Sequence, residues 1–382
     1  MVKSFTYSLL GLILLLSTSG CGVFSLRHSL REGEAALKDH NYEAAIRHLS
    51  RAAARIPNDA ALQYNLATAH FYLGSFIPAE TALEKVLELT PGDTQAVELQ
   101  GQIALQRGQW ERARTCFNNV LKELPTDAPR LLSAIANVER GAMNPDLARV
   151  RLLQALKADW KYAPAHYNLA MLYNDHFDLI DEAIDELELF RRMANSNDPQ
   201  LPRAVKTIDT LTKLRNARAR ATPAANRDTA ASTTKTKDAD RAAVSRQWTR
   251  AETLYRAALT DNPENANAAF GLGKTLLASR RKSEALTAFT LTTELNPNHA
   301  DAYYQGAFTA LELGKLPEAA TLLHRAAARW PERDSFFALL ISLRSAEKNL
   351  AGARAYGEYY LEVAPPGEQR RKYENWLKSL PL

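Results

Sequence analysis

The chain has 382 residues and a net charge of +5 at neutral pH, from 48 Lys and Arg against 43 Asp and Glu. Spread over helix faces, a surplus of that size supports solubility and weak attraction to anionic lipid or polymer, and says little about fold. Cys21 and Cys116 are the two cysteines, which excludes a disulfide framework.

Met1 to Gly20 carries one charge, Lys3, then an apolar run from Leu9 to Leu16 and the small residues Ser17, Thr18, Ser19 and Gly20 ahead of Cys21. A spanning helix needs roughly 20 apolar residues, so this shorter core predicts a signal peptide over residues 1–20. The small residues before Cys21 resemble a bacterial lipobox, with Thr18 standing where that motif usually has Leu. The resemblance implies a lipid on Cys21, which would become the mature N-terminus and tie the chain to a membrane. With Gly22 rather than Asp behind it, it also implies sorting to the outer membrane of a two-membrane host, facing the periplasm. The alternative is an uncleaved anchor from Phe5 to Leu26. An exported, tethered chain would not meet cellular nucleic acid.

From Leu26 onward the chain repeats itself. Pro57, Pro91 and Pro125 recur at one constant interval, and Ala45, Ala79 and Ala113 each stand at the same place ahead of their proline. Gly33, Ala36, Tyr42, Leu49 and Ala52 occupy the packing positions of the first repeat, and apolar residues recur at spacings of three and four, which predicts helices. Cys116, beside Phe117 on a second helix, reads as a small buried hydrophobe. A fourth repeat keeps Leu131, Ile135, Ala148, Leu152 and Ala155, but the interval from Pro125 to Pro164 is longer than the others, and the excess is expected in a loop from Gly141 to Pro145. The fifth, from Ala165, runs through Tyr167, Asn168, Ala170, Tyr173, Ala183, Leu187 and Phe190, with a stretched turn expected around Asp175 to Asp181. An amphipathic helix from Leu201 to Ala217 then caps residues 21–217 as an N-terminal array. Residues 218–237 lack large apolar or aromatic side chains and cannot bury enough surface to offset their ordering entropy, so they predict a flexible, disordered linker.

Residues 238–382 resume the pattern. Pro263, Pro297, Pro331 and Pro365 keep the same interval as the first three prolines, with Ala285, Ala319 and Ala353 between them and Phe289 and Leu323 one helical turn after the first two alanines. The first helix of this array, Asp238 to Ser245, is polar except for Ala and Val244, so it is expected to fray or to form only on packing. The last repeat has Gly357 where a large residue is usual, and Glu368 to Leu380, with Tyr373, Trp376 and Leu377, predicts a capping helix.

A repeat of about 34 residues in two helices, with small residues at the crossings and proline after the second helix, resembles the tetratricopeptide repeat. The clearest run is Asn65, Leu66, Ala67, His70, Gly74, Phe76, Ala79, Leu83, Val86 and Pro91, followed by Gly101, Gly108, Trp110, Ala113, Phe117, Val120 and Pro125. The resemblance implies an all-α solenoid, an α-α superhelix, here in two arrays joined by the linker. It also implies a concave face lined by the first helix of each repeat. By register that face carries Tyr64, Thr68, Phe71, Tyr72, Tyr167, Asn174, Phe270, Lys274, Tyr304 and Phe308. Aromatic residues in such a groove anchor peptides at low entropy cost, and the bland reading is that some only pack between helices. Asn65 and Asn168 share one repeat position and look like the Asn that binds peptide carboxylates in some family members, without the basic residues that complete such a clamp.

Residues Ala268 to Thr275 fit the relaxed form of a phosphate-binding loop ending in Gly273, Lys274 and Thr275. A working loop follows a strand and turns tightly so that free N–H groups cradle phosphate, whereas the repeat register puts Gly273 inside a helix, so no nucleotide is expected. The eight histidines are scattered, and no metal-ligand spacing or nucleophile elbow occurs. The sequence therefore predicts a non-enzymatic, membrane-anchored scaffold without cofactors that holds protein or peptide segments in its grooves. Exported repeat lipoproteins of this kind imply roles in assembling pili, secretion channels or cell-wall machinery. The alternative is a self-associating structural spacer with no peptide ligand.

Overall fold

The computed structural model describes residues 20–219 and 228–380, with side chains for 25–217 and 228–380. The leader, the side chain of Cys21 and residues 220–227 of the expected linker lie outside those described. Among the described residues the structure is all α, without a strand. It divides into two compact units, residues 1–143 and 144–382. Unit 1 contains α1 (Gly20–Lys38), α2 (Tyr42–Ala53), α3 (Ala60–Tyr72), α4 (Phe76–Leu89), α5 (Thr94–Gln106), α6 (Trp110–Glu123) and α7 (Ala128–Gly141). Unit 2 begins with α8 (Pro145–Ala158), α9 (Ala163–His176), α10 (Ile180–Met193), α11 (Leu201–Ala219), α12 (Thr229–Val244) and α13 (Trp248–Asp261). It continues with α14 (Ala266–Ala278), α15 (Lys282–Leu295), α16 (Ala300–Glu312), α17 (Leu316–Arg329), α18 (Asp334–Ala346), α19 (Leu350–Val363) and α20 (Glu368–Ser379).

The repeat chemistry explains the helix pairs. Ala45, Ala79, Ala113, Ala251, Ala285, Ala319 and Ala353 are all fully buried, and Leu49, Leu83, Phe117, Tyr255, Phe289 and Leu323 fill the space one turn on. A methyl group or less at the crossing lets the helices approach, and the large neighbour supplies the buried apolar area. Gly273 shows how close the approach is, since a Cβ there would stand 2.6 Å from the Phe289 ring. The repeat prolines follow the ends of α2, α4, α6, α13, α15, α17 and α19, where no further helical N–H is needed.

Several expectations change. Residues 229–237, expected to be linker, are the first turns of α12, whose buried face is Ser232, Thr236, Ala239 and Ala242. The helix forms because its hydroxyls are satisfied: Ser232 Oγ donates to the Ala258 carbonyl at 2.7 Å, and Asn265 Nδ2 donates to Ser232 Oγ and Thr236 Oγ at 2.8 and 3.0 Å. Neither turn expected to be stretched is so. Only residues 142–144 separate α7 from α8, and Pro164 opens α9 instead of closing α8. The large residue missing at Gly357 is supplied by α20, because a Cβ at Gly357 would meet Trp376 and Leu377 at 2.9 Å.

Within unit 2, α8 and α10 also pack against α17, α18 and α19. Asp146 on α8 accepts from Arg344 on α18 at 2.7 Å and from the Tyr356 hydroxyl on α19 at 2.6 Å. Arg149 is fully buried, donates to Tyr356, and lies over the rings of Phe177 and Tyr356 at 4.7 and 5.1 Å. Glu182 on α10 accepts from Arg329 on α17 at 3.1 Å. Helices expected in the N-terminal array are thereby joined to the last repeats, which explains why the compact unit starts at Asn144 and not after a linker.

Candidate protein-binding groove

In unit 1 the inner helix α3 holds the expected aromatic residues unevenly. Tyr64 and Phe71 are half-buried, Phe71 against Phe76 at 6.3 Å. Tyr72 is 46% exposed at the end of α3, where its ring stacks on Tyr42 at 5.0 Å, and burial together with Tyr42 pushes its phenol pKa up. Asn65 is buried, so its amide is not presented to a peptide.

In unit 2 Tyr167 departs from expectation. It is 5% exposed and packs on Phe190 at 5.2 Å, so it belongs to the core of the α9–α10 pair and not to a groove. The reason is that the ring faces the partner helix of its own repeat, an outcome that register alone does not separate from exposure.

The remaining expected residues come together on α14 and α16. Phe270 is half-buried between Phe289 and His299, at ring distances of 5.7 and 4.3 Å, and the ammonium of Lys274 stands 4.8 Å above it. Tyr304 and Phe308 are stacked nearly parallel, with centroids 6.4 Å apart, and Phe308 is 42% exposed. The Phe336 ring, beside Trp330, backs Tyr304.

Next to Phe270 and Lys274 lies a pocket of about 380 Å³ between α12 and α14, lined also by Thr233, Thr236, Lys237, Asp240, Asn265, Asn267 and Gly271. Its depth comes from Gly271, where any side chain would run into the Tyr255 ring. Tyr255 is itself fixed by donating to Asp240 at 2.5 Å, and burial first, then that carboxylate, raises its phenol pKa well above the usual range. Thr233, Thr236 and Lys237 on α12 were missed because their segment reads as linker, and Asp240 because its helix reads as polar and frayed. The signal was present, since Lys237 and Asp240 each fall one repeat before Gly271 and Lys274, at the interval the prolines keep.

The glycine-rich stretch is helical throughout, inside α14, and Thr275 Oγ donates to the Gly271 carbonyl at 2.9 Å. Its backbone N–H groups serve the helix and are not arranged to cradle phosphate. Among the described residues no group of three His, Cys, Asp or Glu side chains is placed to hold a metal ion. Cys116 is buried, and burial raises its thiol pKa.

Family models agree with this repeat architecture. Two family models described as tetratricopeptide repeat match, one over residues 36–103 and the other over residues 236–300 and 304–368. The chain belongs to the tetratricopeptide-repeat proteins. It is similar to Hsp70-Hsp90 organizing protein 3 of Arabidopsis thaliana, 26% identical over 132 residues, covering 33% of this chain and 24% of that protein. It thus spans about a quarter of that relative's length. Among solved structures it is similar to MamA 41-end from Desulfovibrio magneticus RS-1, with 22% identity and a TM-score of 0.40, covering 46% of this chain and 97% of that one. A crystal structure of MamA protein matches with 15% identity and a TM-score of 0.38, covering 44% and 91%.

Proposed function

We propose that the protein is a non-enzymatic scaffold that holds extended segments of partner proteins along the inner helices of unit 2. The observation that carries this reading is the row of Phe270, Lys274, Tyr304 and Phe308 on α14 and α16, stacked or half-buried yet open to solvent beside a pocket. Large amphipathic rings already held in place bind a peptide at low entropy cost. The family match and the relative, whose name describes an organizer of two other proteins, support protein partners as the class.

The lipobox-like sequence at Ser17–Cys21 supports export and a lipid on Cys21, with the chain held at the outer membrane facing the periplasm. There it would serve the assembly of envelope machinery such as pili, secretion channels or cell-wall complexes. The rival reading, a self-associating spacer, predicts that the same aromatic residues contact only other copies of this chain.

Photo-crosslinking in intact cells of the native host separates the two. A photoreactive residue at position 304, with position 64 as comparison and a Cys21→Ala strain alongside, is expected to give a discrete heterologous adduct that weakens when the anchor is lost. Self-adducts alone would leave the spacer.

A further inference from the structure

We infer that unit 2 holds a small monovalent inorganic anion of chloride size among Arg149 on α8, Tyr173 on α9, His324 on α17 and Arg344 on α18, where it links the first and last repeats of the unit.

The four side chains gather around Phe177. The Arg149 guanidinium lies 4.7 Å from the centre of that ring, and the His324 ring lies 4.5 Å from it. Tyr173 stands one helical turn before Phe177, 6.4 Å away ring to ring, and Arg344 Nη2 is 3.1 Å from His324 Nε2. Each of the four carries a donor that finds no acceptor. Arg149 Nε and Nη1, the Tyr173 hydroxyl, His324 Nδ1 and Arg344 Nε are all shut off from solvent and have no hydrogen-bond partner among the described residues. His324 Nδ1 is a donor because Nε2 accepts from Arg344, which places the proton of the neutral ring on Nδ1. Buried polar groups are as a rule paired, and a gathering of donors alone calls for an acceptor that can take several of them at once. One water molecule cannot do so, whereas a spherical anion accepts from every side.

Charge leads to the same ligand. Arg149 is fully buried, and among the described residues no carboxylate stands within ion-pair distance of it. Asp146 and Glu347 are both taken by Arg344, at 2.7 and 2.6 Å. Stacking on Phe177 and Tyr356 attracts the Arg149 charge but supplies no lone pair to its in-plane N–H groups. A buried cation without a counter-ion is strongly destabilising. Burial raises the Tyr173 phenol pKa and the Arg149 charge works against it, while Arg149 and Arg344 add to the burial that lowers His324, so the positive field reaches the whole group. Because the donor atoms are closed to solvent, the ligand is an ion small enough to be enclosed as the helices pack, which rules out a peptide terminus or a phosphate ester. A divalent ion would bring more negative charge than one unpaired guanidinium balances.

The test uses the full-length chain in sodium gluconate, with chloride replacing gluconate at constant ionic strength so that screening does not change. Above the dissociation constant, each tenfold rise in chloride should raise the unfolding temperature of unit 2 by about 3–5 °C. Hydrogen exchange should slow in α8, α17 and α18 and stay unchanged in α2 to α6 of unit 1. Bromide should substitute for chloride and give one anomalous-scattering peak beside Arg149 in crystals of the protein. Arg149→Met removes the unpaired charge and two of the donors, and should abolish the chloride dependence. Tyr173→Phe keeps the ring and should raise the half-saturating chloride concentration about fivefold, the scale of one hydrogen bond. Equal melting in chloride and gluconate, a chloride slope that survives in Arg149→Met, or no bromide peak beside Arg149 would overturn the site. If Arg149→Met does not fold, wild-type half-saturation in Tyr173→Phe overturns it in the same way.

Discussion

At the scale of single residues, glycine at 271 and 273 and the left-handed positions in the turns are where side-chain identity is least negotiable. Gly271 faces the ring of Tyr255, which is 1% exposed and tied to Asp240, so neither can retreat. Alanine would gain about 1 kcal/mol of helix propensity at this site, but the overlap should exceed that gain. Gly271→Ala is expected to destabilise the protein by about 1–2 kcal/mol in denaturant melts, and Tyr255→Leu in the same chain should recover part of the loss. The turns between paired helices place Gly74, Gly108 and Gly314 at φ values of 75°, 69° and 69°, while Arg246, Arg280 and Lys348 adopt 56°, 63° and 60° at equivalent points. A residue with a Cβ is strained there by about 1–2 kcal/mol, against about 0.5–1 kcal/mol of extra chain entropy for glycine. Arg280→Gly should therefore raise stability by about 0.5–1 kcal/mol, measured as a higher melting temperature.

Helices as wholes bring out what holds one that lacks large apolar side chains. The α12 helix has no large apolar residue on its buried face, and its attachment runs through Ser232, Thr236 and the amide of Asn265, whose Oδ1 also accepts from the Ala268 N–H at 3.0 Å. Asn265→Ala removes a cap and leaves buried hydroxyls short of a partner. It should cost about 1–2 kcal/mol and speed hydrogen exchange in α12 and the first turn of α14 ahead of the rest. In α9, His166 gives the opposite kind of polar contact: its Nδ1 meets Glu186 at 2.6 Å and its Nε2 the Trp160 carbonyl at 2.8 Å. Both partners are acceptors, so both ring nitrogens carry protons and the imidazole is charged. Burial acts to lower its pKa, but Glu186 and the carbonyl outweigh it and the net shift is upward. A raised folded-state pKa gives stability that is complete below the unfolded value near 6.5 and disappears as pH rises through the folded one.

The whole of unit 2 depends on the charged cluster that ties α8 to α18 and α19. Asp146→Asn would leave Arg344 with Glu347 as its one remaining carboxylate and take the nearby negative charge from the cluster around the buried Arg149, with an expected cost of about 2–4 kcal/mol and early exchange of α17 to α19. His324 sits in the same cluster. Arg344 Nη2, a donor, lies 3.1 Å from His324 Nε2, which must accept with its lone pair and so be neutral. Burial first, then Arg149 and Arg344, hold its pKa well below the ordinary value. Around it stand Asp146 and Arg149 on α8, Phe177 after α9, Arg344 and Glu347 on α18 and Tyr356 on α19. With a depressed folded-state pKa, stability is complete above about 6.5 and falls with acidification, by up to about 1.4 kcal/mol per pH unit until the folded pKa is reached. His324→Gln should flatten the pH dependence of the melting temperature between about pH 6.5 and 5. An unchanged slope would mean that another group titrates.

How much of this is legible from residues alone depends on the distance over which each feature acts. The constant spacing of proline, the buried alanines and their large neighbours act within one repeat, so helix pairing and the all-α architecture follow from the chain itself. The inner positions of Phe270, Lys274, Tyr304 and Phe308 follow from the same register. Burial of Tyr167, the supply of side chains to Gly357 by α20, and the joining of Asp146 to Arg344 and Tyr356 depend on which surfaces meet. A charged pair on one helix reads as a solvated face until the helix opposite is known, and here that helix lies far along the chain. The α12 helix shows the same limit in reverse: its serine and threonine look like linker because their hydrogen-bond partners, Ala258 and Asn265, lie outside it. Local periodicity determined the repeat and its inner face; packing between distant repeats decided where the compact unit begins, and packing between neighbouring repeats what its pocket contains, because buried polar groups are stable only where a partner is brought to them.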